Sequence, residues 1–499
     1  MVLLTIISVA NVGFALILTA LIIWFLASRS LKKILLGSES NEAPISGSIS
    51  NIDGKKVISL SQGFDINLEG KANKIINHSF APKTFGIKPE DFTGFQPIPK
   101  MMVKEGETVK AGDKLFYDRK MEGTFITAPV SGTIKEIRRG TKRRIDAIVI
   151  DADAKTSFKK FDVNANGTRE EVLNTIVESG CLASFISRPF GYPALPTQNP
   201  KAIFISAFDT APLAADNDFI IENFSANDFQ TGLDVINKLT KKVHLNVSVN
   251  SNKVFQEAKG VQVNYFEGQD PAGKVGIQIH HIDAIKAGEV VWTIRPTDVV
   301  TIGRLFNEGI YDPQEVIAVA GTPLEKTFYV KTRKGACIDG LVGDLSEKEN
   351  RFVSGNALTG TSVRKNSFVG FSDNLITVLK EGTQEELFGW FMPHFARPSI
   401  SGTFPWTGNK EVAFEADTNM HGEPRAFVVT GQYEQVLPMD IFPVHLLKSI
   451  LVKDFEQMEG LGIYELLEED LALCEFVCTS KQPVQQILRE GLDYIYSQG

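Results

Sequence analysis

Apolar positions form one continuous run at the start of the chain and become periodic further along. Residues 2–28 contain no charged side chain, and Asn11 is the only strongly polar one. Because about 20 apolar residues cross a bilayer as a helix, we predict one N-terminal transmembrane helix within an anchor over residues 1–33. A secretory signal peptide, the alternative, begins with basic residues. Here the basic residues follow the run, which predicts a cytoplasmic body: Arg29, Lys32 and Lys33.

The next two segments differ in their glycine pattern. Residues 34–56 are rich in Ser, Gly and Asn with little apolar periodicity, which predicts a linker. From 57 to 160, apolar residues such as Val103, Val109 and Leu115 alternate with glycines, as in short strands joined by tight turns. The stretch Ala-Pro-Val-Ser-Gly is similar to a motif of biotinyl and lipoyl carrier domains. We therefore predict a barrel-sandwich (biotinyl/lipoyl-like) domain over residues 57–160.

Strands and helices alternate in the next segment, residues 161–314. The apolar run 201–208 predicts a buried strand, and 225–242 predicts an amphipathic helix with Ser225 as its N-cap. A second strand is expected at 243–249. Such alternation is typical of a mainly parallel sheet covered by helices. We therefore predict a Rossmann-like α/β domain.

A Rossmann-like domain raises the question of a nucleotide site. The chain contains neither a G-x-G-x-x-G nor a G-x-x-x-x-G-K-[ST] motif. The stretch GQDPAGKVG, residues 268–276, is rich in glycine, but we do not expect it to follow a strand and open a helix. The sequence therefore predicts no nucleotide site.

Short apolar runs without helical periodicity return in residues 315–382, for example EVIAVAG and NLITVLKEG. This pattern predicts a β-grasp-like (soluble ligand binding) domain. Residues 383–499 begin as loops and become helical from about Phe442 onward. The predicted fold class is thus a multidomain α/β plus β protein with a C-terminal helical region.

Composition narrows the possible partners. Hydrophobic residues make up 43% of the 499-residue chain and charged residues 22%, which is a globular composition. The formal net charge is −8, whereas a nucleic-acid-binding surface is basic. We therefore predict no nucleic-acid partner.

The cysteines and histidines predict no metal site. Cys474 and Cys478 are separated by one helical turn, and two thiolates do not complete a four-cysteine iron–sulfur site. On a helix they share a face with leucines, which suits burial as small hydrophobic side chains. His280 and His281 are adjacent, so on a strand they would point to opposite faces.

Nine stretches occur in one order that resembles a known family. They are GFDINLEGKA, VKEGETVKAGDKLF, TAPVSGTI, SRPFGYPA, DTAPLAAD, DPAGKVGIQIHHID, RFVSGNALTG, LFGWFMP and EEDLALCEFVC. Together they resemble the A subunit of the Na⁺-translocating NADH:quinone oxidoreductases over about residues 57–499. The predicted anchor and linker lie outside this resemblance.

The resemblance implies a respiratory sodium pump that oxidises NADH, reduces ubiquinone to ubiquinol and exports Na⁺. It implies a bacterial inner membrane location with the body of this chain on the cytoplasmic side. The implied partners are the B to F subunits, most directly the B subunit, together with ubiquinone and the membrane. NADH, flavins, iron–sulfur centres and ubiquinone are then used through other subunits, and this chain binds no cofactor and has no complete active site.

Two aromatic segments are the candidates for quinone contact. Residues 181–196 and 84–99 each combine aromatic rings with stiff loops, and quinone sites require an apolar slot with a few hydrogen-bond donors. Packing against the core or against the B subunit is the alternative for both segments, and an arginine in the first could instead cap a neighbouring subunit. The candidate residues are Phe92, Phe95, Phe185, Arg188, Pro189 and Phe190.

A second function class combines the same predicted parts. Membrane-anchored adaptor proteins of transport systems also join an N-terminal anchor to a barrel-sandwich domain. Such an adaptor requires a long heptad hairpin within the sandwich, and no heptad run occurs between Leu115 and Ala128. The sodium-pump subunit is therefore the main prediction and the adaptor the alternative.

Overall fold

The computed structural model describes residues 47–52, 54–383 and 413–498. The predicted anchor at 1–33 lies outside these ranges. Among the helices that are described, none is both long and apolar enough to cross a membrane. All of the described residues belong to one compact unit, Ser46–Gly499.

Two small antiparallel sheets form the first folded part. One has the strand order β3-β9-β8-β5 and the other β4-β6-β7. The apolar residues Val103, Val109 and Leu115 are all buried in the core of this part. The strands are β3 (Thr84–Ile87), β4 (Lys100–Met101), β5 (Thr108–Val109), β6 (Lys114–Tyr117), β7 (Phe125–Thr127), β8 (Gly132–Arg139) and β9 (Ile145–Ala152).

An eight-stranded sheet with the order β1-β2-β14-β13-β12-β15-β10-β11 forms the second part. Its central strands are parallel, as predicted, and β1, β10 and β11 are antiparallel to their neighbours. The strands are β1 (Gly47–Ile52), β2 (Lys55–Leu60), β10 (Ile186–Arg188), β11 (Tyr192–Pro193), β12 (Ala202–Ser206), β13 (Val243–Ser248), β14 (Gln262–Glu267) and β15 (Val291–Thr293).

One of the six helices around this sheet begins at a residue that the sequence predicts as its cap. Ser225 accepts a hydrogen bond from the backbone N–H of Asp228 at 3.3 Å, which confirms the predicted N-cap. The helices are α1 (Arg169–Ser179), α2 (Asn217–Glu222), α3 (Ala226–Ile236), α4 (Lys253–Gln256), α5 (Val275–Asp283) and α6 (Pro296–Glu308).

Three expectations from the sequence are wrong in this part. Residues 47–52, within the predicted linker 34–56, form β1, because pairing with β2 satisfies the backbone of a polar edge strand. The stretch 268–276 does follow a strand, β14, and does open a helix, α5. His280 and His281 lie on that helix and not on a strand.

A mixed five-stranded sheet and a helical region complete the fold. The sheet has the order β17-β16-β20-β18-β19. The helices of the C-terminal region share a hydrophobic core with β2 of the larger sheet and with α5. The predicted helical end is confirmed. The elements are β16 (Gln314–Ala320), β17 (Phe328–Arg333), α7 (Asp339–Val342), β18 (Asn350–Ser354), β19 (Thr361–Val363), β20 (Leu375–Lys380), α8 (Pro443–Leu451), α9 (Phe455–Gly460), α10 (Ala472–Val477) and α11 (Val484–Gln498).

A close approach between α3 and α6 gives a test of this packing. A Cβ on Gly303 would lie 1.7 Å from the carbonyl oxygen of Asp228, so the two backbones touch. We expect Gly303→Ala to lower the free energy of unfolding by about 3 kcal/mol, measured by urea denaturation, because the helices must separate. Gly460→Ala is the control, since no atom lies within 4 Å of its added Cβ. Equal denaturation midpoints for the two variants would contradict this packing.

Candidate functional site

The two candidate segments meet in the structure although they are distant in sequence. Gly94 of the segment 84–99 has φ +81°, and a Cβ there would lie 2.7 Å from ring atoms of Tyr192 in the segment 181–196. The loop backbone therefore rests on the tyrosine ring. Only a residue without a side chain allows this approach.

Two of the candidate phenylalanines are core residues. Phe92 is 4% exposed and packs 4.8 Å from Phe371, measured between ring centroids. Phe185 is 0% exposed and packs 5.4 Å from Trp292. Their rings contact protein atoms on all sides, so they anchor the segments that carry the more exposed rings.

Arg188 is enclosed at the boundary between β10 and the C-terminal region. Its side chain is 1% exposed and donates from Nη1 to Asp470 Oδ2 and from Nη2 to Glu469 Oε1, both at 2.8 Å. Burial alone would lower the pKa of Arg188, but the two carboxylates outweigh burial and raise it. The guanidinium thus has carboxylate partners within the chain, and the peptide bond to the buried Pro189 is cis.

Phe190, Tyr192, Tyr464 and Tyr496 form a cluster that we name the aromatic surface. The rings of Tyr192 and Tyr496 lie 4.7 Å apart, and those of Phe190 and Tyr496 5.0 Å apart. Tyr496 is 47% exposed, and the other three rings are partly buried. The sequence did not identify Tyr464 and Tyr496, because they belong to the C-terminal region.

Polar contacts hold the edge of the aromatic surface. Tyr192 donates its hydroxyl to Asp493 Oδ1 at 3.0 Å. Arg489 donates from Nη1 to the carbonyl oxygen of Phe190 at 2.8 Å and from Nη2 to Glu468 Oε2 at 2.7 Å. Burial and the nearby Asp493 carboxylate raise the pKa of Tyr192, so its hydroxyl stays protonated as a donor at neutral pH.

The loop between β14 and α5 contains buried charges next to this region. Lys274 Nζ lies 3.1 Å from Asp209 Oδ1, and Thr210 donates to Asp270 Oδ1 at 2.9 Å. Burial raises the pKa of Asp270 to about 6, although Lys274 opposes the shift. Ionisation of the Asp270 carboxyl group therefore lowers the free energy of unfolding.

The C-terminal cysteines are packed in the hydrophobic core. Cys474 and Cys478 are 1% and 3% exposed. Burial raises the pKa of the Cys474 thiol, and thiolates are the form that binds metals. In the parts of the chain that are described, no group of three or more His, Cys, Asp and Glu side chains could hold a metal ion. That this chain binds no cofactor stays a prediction.

His280 and His281 are engaged separately. The Nδ1 atom of His280 lies 2.6 Å from Glu465 Oε2. Its Nε2 atom accepts a hydrogen bond from the backbone N–H of Asp440 at 3.2 Å. His281 Nε2 lies 2.8 Å from the carbonyl oxygen of Pro438. Both histidines connect α5 to the C-terminal region.

Two concave spaces lie elsewhere, on either side of residues 79–84. Their volumes are about 350 and 450 Å³. Lys331 and Arg333 line the first, and Cys337 and Asp339 line the second. None of the six candidate residues lines either space.

Together these features define a multidomain α/β plus β protein in which a barrel-sandwich part, an α/β domain and a helical region meet at a partly exposed aromatic cluster. Family models match in the same order along the chain. Residues 58–153 match the NqrA N-terminal barrel-sandwich hybrid domain, residues 167–311 the NqrA second alpha/beta domain, and residues 316–365 the NQRA C-terminal domain.

Relatives that align over nearly the full chain indicate the same family as the domain matches. The A subunit of the Na(+)-translocating NADH-quinone reductase of Serratia proteamaculans is 38% identical over 89% of this chain and 100% of its own length. The corresponding subunits of Photorhabdus laumondii and of Neisseria meningitidis serogroup B are 37% and 36% identical, with the same coverage. The chain belongs to the family formed by the A subunits of the Na⁺-translocating NADH-quinone reductases. The family resemblance found in the sequence is thereby confirmed.

Asp270 gives a pH test of the buried charges. A raised pKa in the folded state contributes stability that is present below about pH 4 and is lost as the pH rises through about 6. Asp270→Asn is neutral at every pH and keeps the oxygen that Thr210 contacts. We expect the variant to gain about 1–3 kcal/mol of unfolding free energy relative to the unmodified chain between pH 4 and pH 7.

Urea denaturation across this pH range measures the difference. Asp162→Asn, at an exposed position, is the matched control and should show a difference near zero. A gain in unfolding free energy for Asp270→Asn that does not change with pH would contradict the raised pKa of Asp270.

Proposed function

We propose that this chain is the cofactor-free scaffold subunit of a respiratory sodium pump that oxidises NADH, reduces ubiquinone to ubiquinol and exports Na⁺. Family membership supports the proposal, because the relatives are named as the A subunit of a Na⁺-translocating NADH-quinone reductase and match over their whole length. The redox cofactors are then held by other subunits.

We propose further that the aromatic surface contributes to ubiquinone binding. The single observation that carries this proposal is the partly exposed cluster of four aromatic rings that segment 181–196 forms with the C-terminal region. A quinone ring requires flat apolar contacts and a small number of donors. Tyr192 and Arg489 carry such donors at the edge of the cluster, where they bond to Asp493 and to the carbonyl oxygen of Phe190. In this proposal a quinone oxygen replaces one of these acceptors.

The six candidate residues take two roles in this proposal. Phe190 is partly exposed within the aromatic surface and faces the quinone or the neighbouring subunit. Phe95 is partly exposed but packs on Phe92 and Phe116 of the barrel-sandwich part, outside the aromatic surface. The other four are buried and anchor the two segments. They are Phe92, Phe185, Arg188 and Pro189.

The same proposal specifies the partner subunits, the location and the domains of the chain. The B subunit is the most direct partner, the C to F subunits complete the complex, and the location is the cytoplasmic face of the bacterial inner membrane. The proposal includes a β-grasp-like domain at 315–382 and an N-terminal membrane anchor, whereas the predicted linker at 34–56 is shortened by β1. The five-stranded sheet with its short helix α7 supports the β-grasp-like assignment.

The adaptor alternative has less support. An adaptor requires a long hairpin inserted in the barrel-sandwich domain. Here β6 ends at Tyr117 and β7 begins at Phe125, and the residues between them form turns. The connection is too short for a helical hairpin.

Kinetics of the assembled complex test the quinone proposal. We expect the double variant Phe190→Ala/Tyr496→Ala to raise the KM for ubiquinone about 10-fold, since aromatic contacts contribute about 0.5–1.5 kcal/mol each. Phe442→Ala is the control, because this ring is 55% exposed and lies outside the aromatic surface. An unchanged KM in a complex that retains all its subunits would contradict quinone binding here. Loss of the B subunit on purification would instead assign the surface to docking.

A further inference from the structure

The turn between α8 and α9 exposes three large apolar side chains within five residues. Leu451, Val452 and Phe455 are 52%, 74% and 36% exposed. Single exposed apolar residues are common on protein surfaces, whereas a group of them marks contact with a partner or a membrane. We name these three residues the apolar corner.

Hydrogen bonds fix the backbone of the apolar corner. The N–H of Lys453 donates to the carbonyl oxygen of Ile450 at 3.0 Å, and the N–H of Asp454 donates to that of Ser449 at 2.9 Å. Asp454 also caps α9 by accepting from the backbone N–H of Gln457 at 3.1 Å. The three apolar side chains are therefore held on the surface by a hydrogen-bonded turn, and they are not the frayed end of a helix.

The apolar corner adjoins the end of α11 that carries part of the aromatic surface. Lys453 Nζ lies 5.7 Å from the ring centroid of Tyr494, and Tyr496, in the same turn of α11, belongs to the aromatic surface. Side chains with an apolar body and a polar tip, such as Lys and Tyr, are typical of the boundary between membrane and water. The corner and its neighbours therefore have the composition of an interfacial membrane contact.

Charge does not drive this contact. Lys453 and Glu456 are exposed and Asp454 is partly buried, so charges of both signs surround the apolar corner. Attraction to an anionic surface is therefore weak, and the apolar area supplies the binding free energy. The partner that fits is a lipid bilayer, whatever the charge of its headgroups.

The chain that precedes β1 keeps the apolar corner within reach of a bilayer. Residues 34–46, between the predicted anchor and β1, span at most about 45 Å. A Cβ on Gly47 would lie 3.0 Å from the ring of His281, whose Nε2 contacts the carbonyl oxygen of Pro438 just before α8. The described chain thus starts near the beginning of α8, and the apolar corner lies at the end of this helix, about 13 Å further.

We propose that the apolar corner inserts into the lipid bilayer beside the aromatic surface. The inference rests on the proposed function, because ubiquinone is an apolar molecule that partitions into the bilayer. A protein surface that binds it has to lie close to the lipid. Insertion of the corner places the end of α11 at the membrane surface, where the ubiquinone tail stays in lipid while its ring reaches the aromatic surface.

A fluorescent label on the apolar corner tests the contact. Val452→Cys is made in the full chain with Cys337→Ser, since the other three cysteines are buried, and is labelled with nitrobenzoxadiazole. The chain is reconstituted into neutral vesicles of phosphatidylcholine and phosphatidylethanolamine, with and without a doxyl quencher on the acyl chains. We expect the quencher to remove about half of the fluorescence at position 452, because interfacial segments lie about 5–10 Å deep, at the boundary of headgroups and acyl chains.

Two further variants show whether the corner itself causes the quenching. Ile75→Cys, labelled in the same background, is the matched control, because this side chain is 66% exposed and lies beside β17. Its label should remain unquenched. Adding Leu451→Ser and Phe455→Ser to the chain labelled at position 452 should abolish the quenching with an unchanged melting temperature, because both side chains are exposed.

Absence of lipid quenching at position 452 would overturn the proposal. Shielding of this label that appears only in the assembled complex, without lipid quenching, would assign the corner to another subunit and would also overturn it. The vesicles contain no quinone, so this result is separate from the KM test of the aromatic surface, and failure of either proposal can be told from failure of the other.

Discussion

The buried contact between Arg188 and Asp470 is the constraint on which the arrangement of the site depends. It joins β10 of the large sheet to the C-terminal region across 282 residues of sequence, and both side chains are 1% exposed. Removing a charge from water costs several kcal/mol unless a partner compensates it. The C-terminal region therefore cannot shift on the α/β domain without leaving a buried charge unpaired. Phe190 and Tyr192, just after Arg188, are fixed relative to Tyr464 and Tyr496 by this contact.

The local elements of the fold could be predicted because their signals are local. Ser225 accepts the backbone N–H that a helix N-cap should accept, and Val109 and Leu115 lie in short strands as the glycine spacing indicates. The strand β14 was missed because it lacks a continuous apolar run, and Phe266 is its only fully buried residue. Missing β14 concealed the strand–loop–helix arrangement that follows it.

The candidate site could be predicted only in part. Phe190 and Phe95 stand out in the sequence because their loops combine aromatic rings with proline. No local pattern shows that Arg188 pairs with Asp470 or that Tyr496 packs on Tyr192, because those partners come from helices near the end of the chain. The same limit explains why the sequence offered Arg188 as a candidate for quinone contact without showing that its Nη groups donate to carboxylates within the chain.

A double-mutant cycle of Arg188→Met and Asp470→Leu, followed by urea denaturation, tests most directly whether the buried pair holds the C-terminal region in place. Arg188→Met leaves the buried Asp470 without its cation and should cost about 3–5 kcal/mol of unfolding free energy. Asp470→Leu should cost less, because Arg188 keeps Glu469 as its remaining carboxylate partner. The double variant removes both charges and should be less destabilised than either single variant, which gives a coupling energy of about 3 kcal/mol or more. Additive effects of the two substitutions would contradict the account.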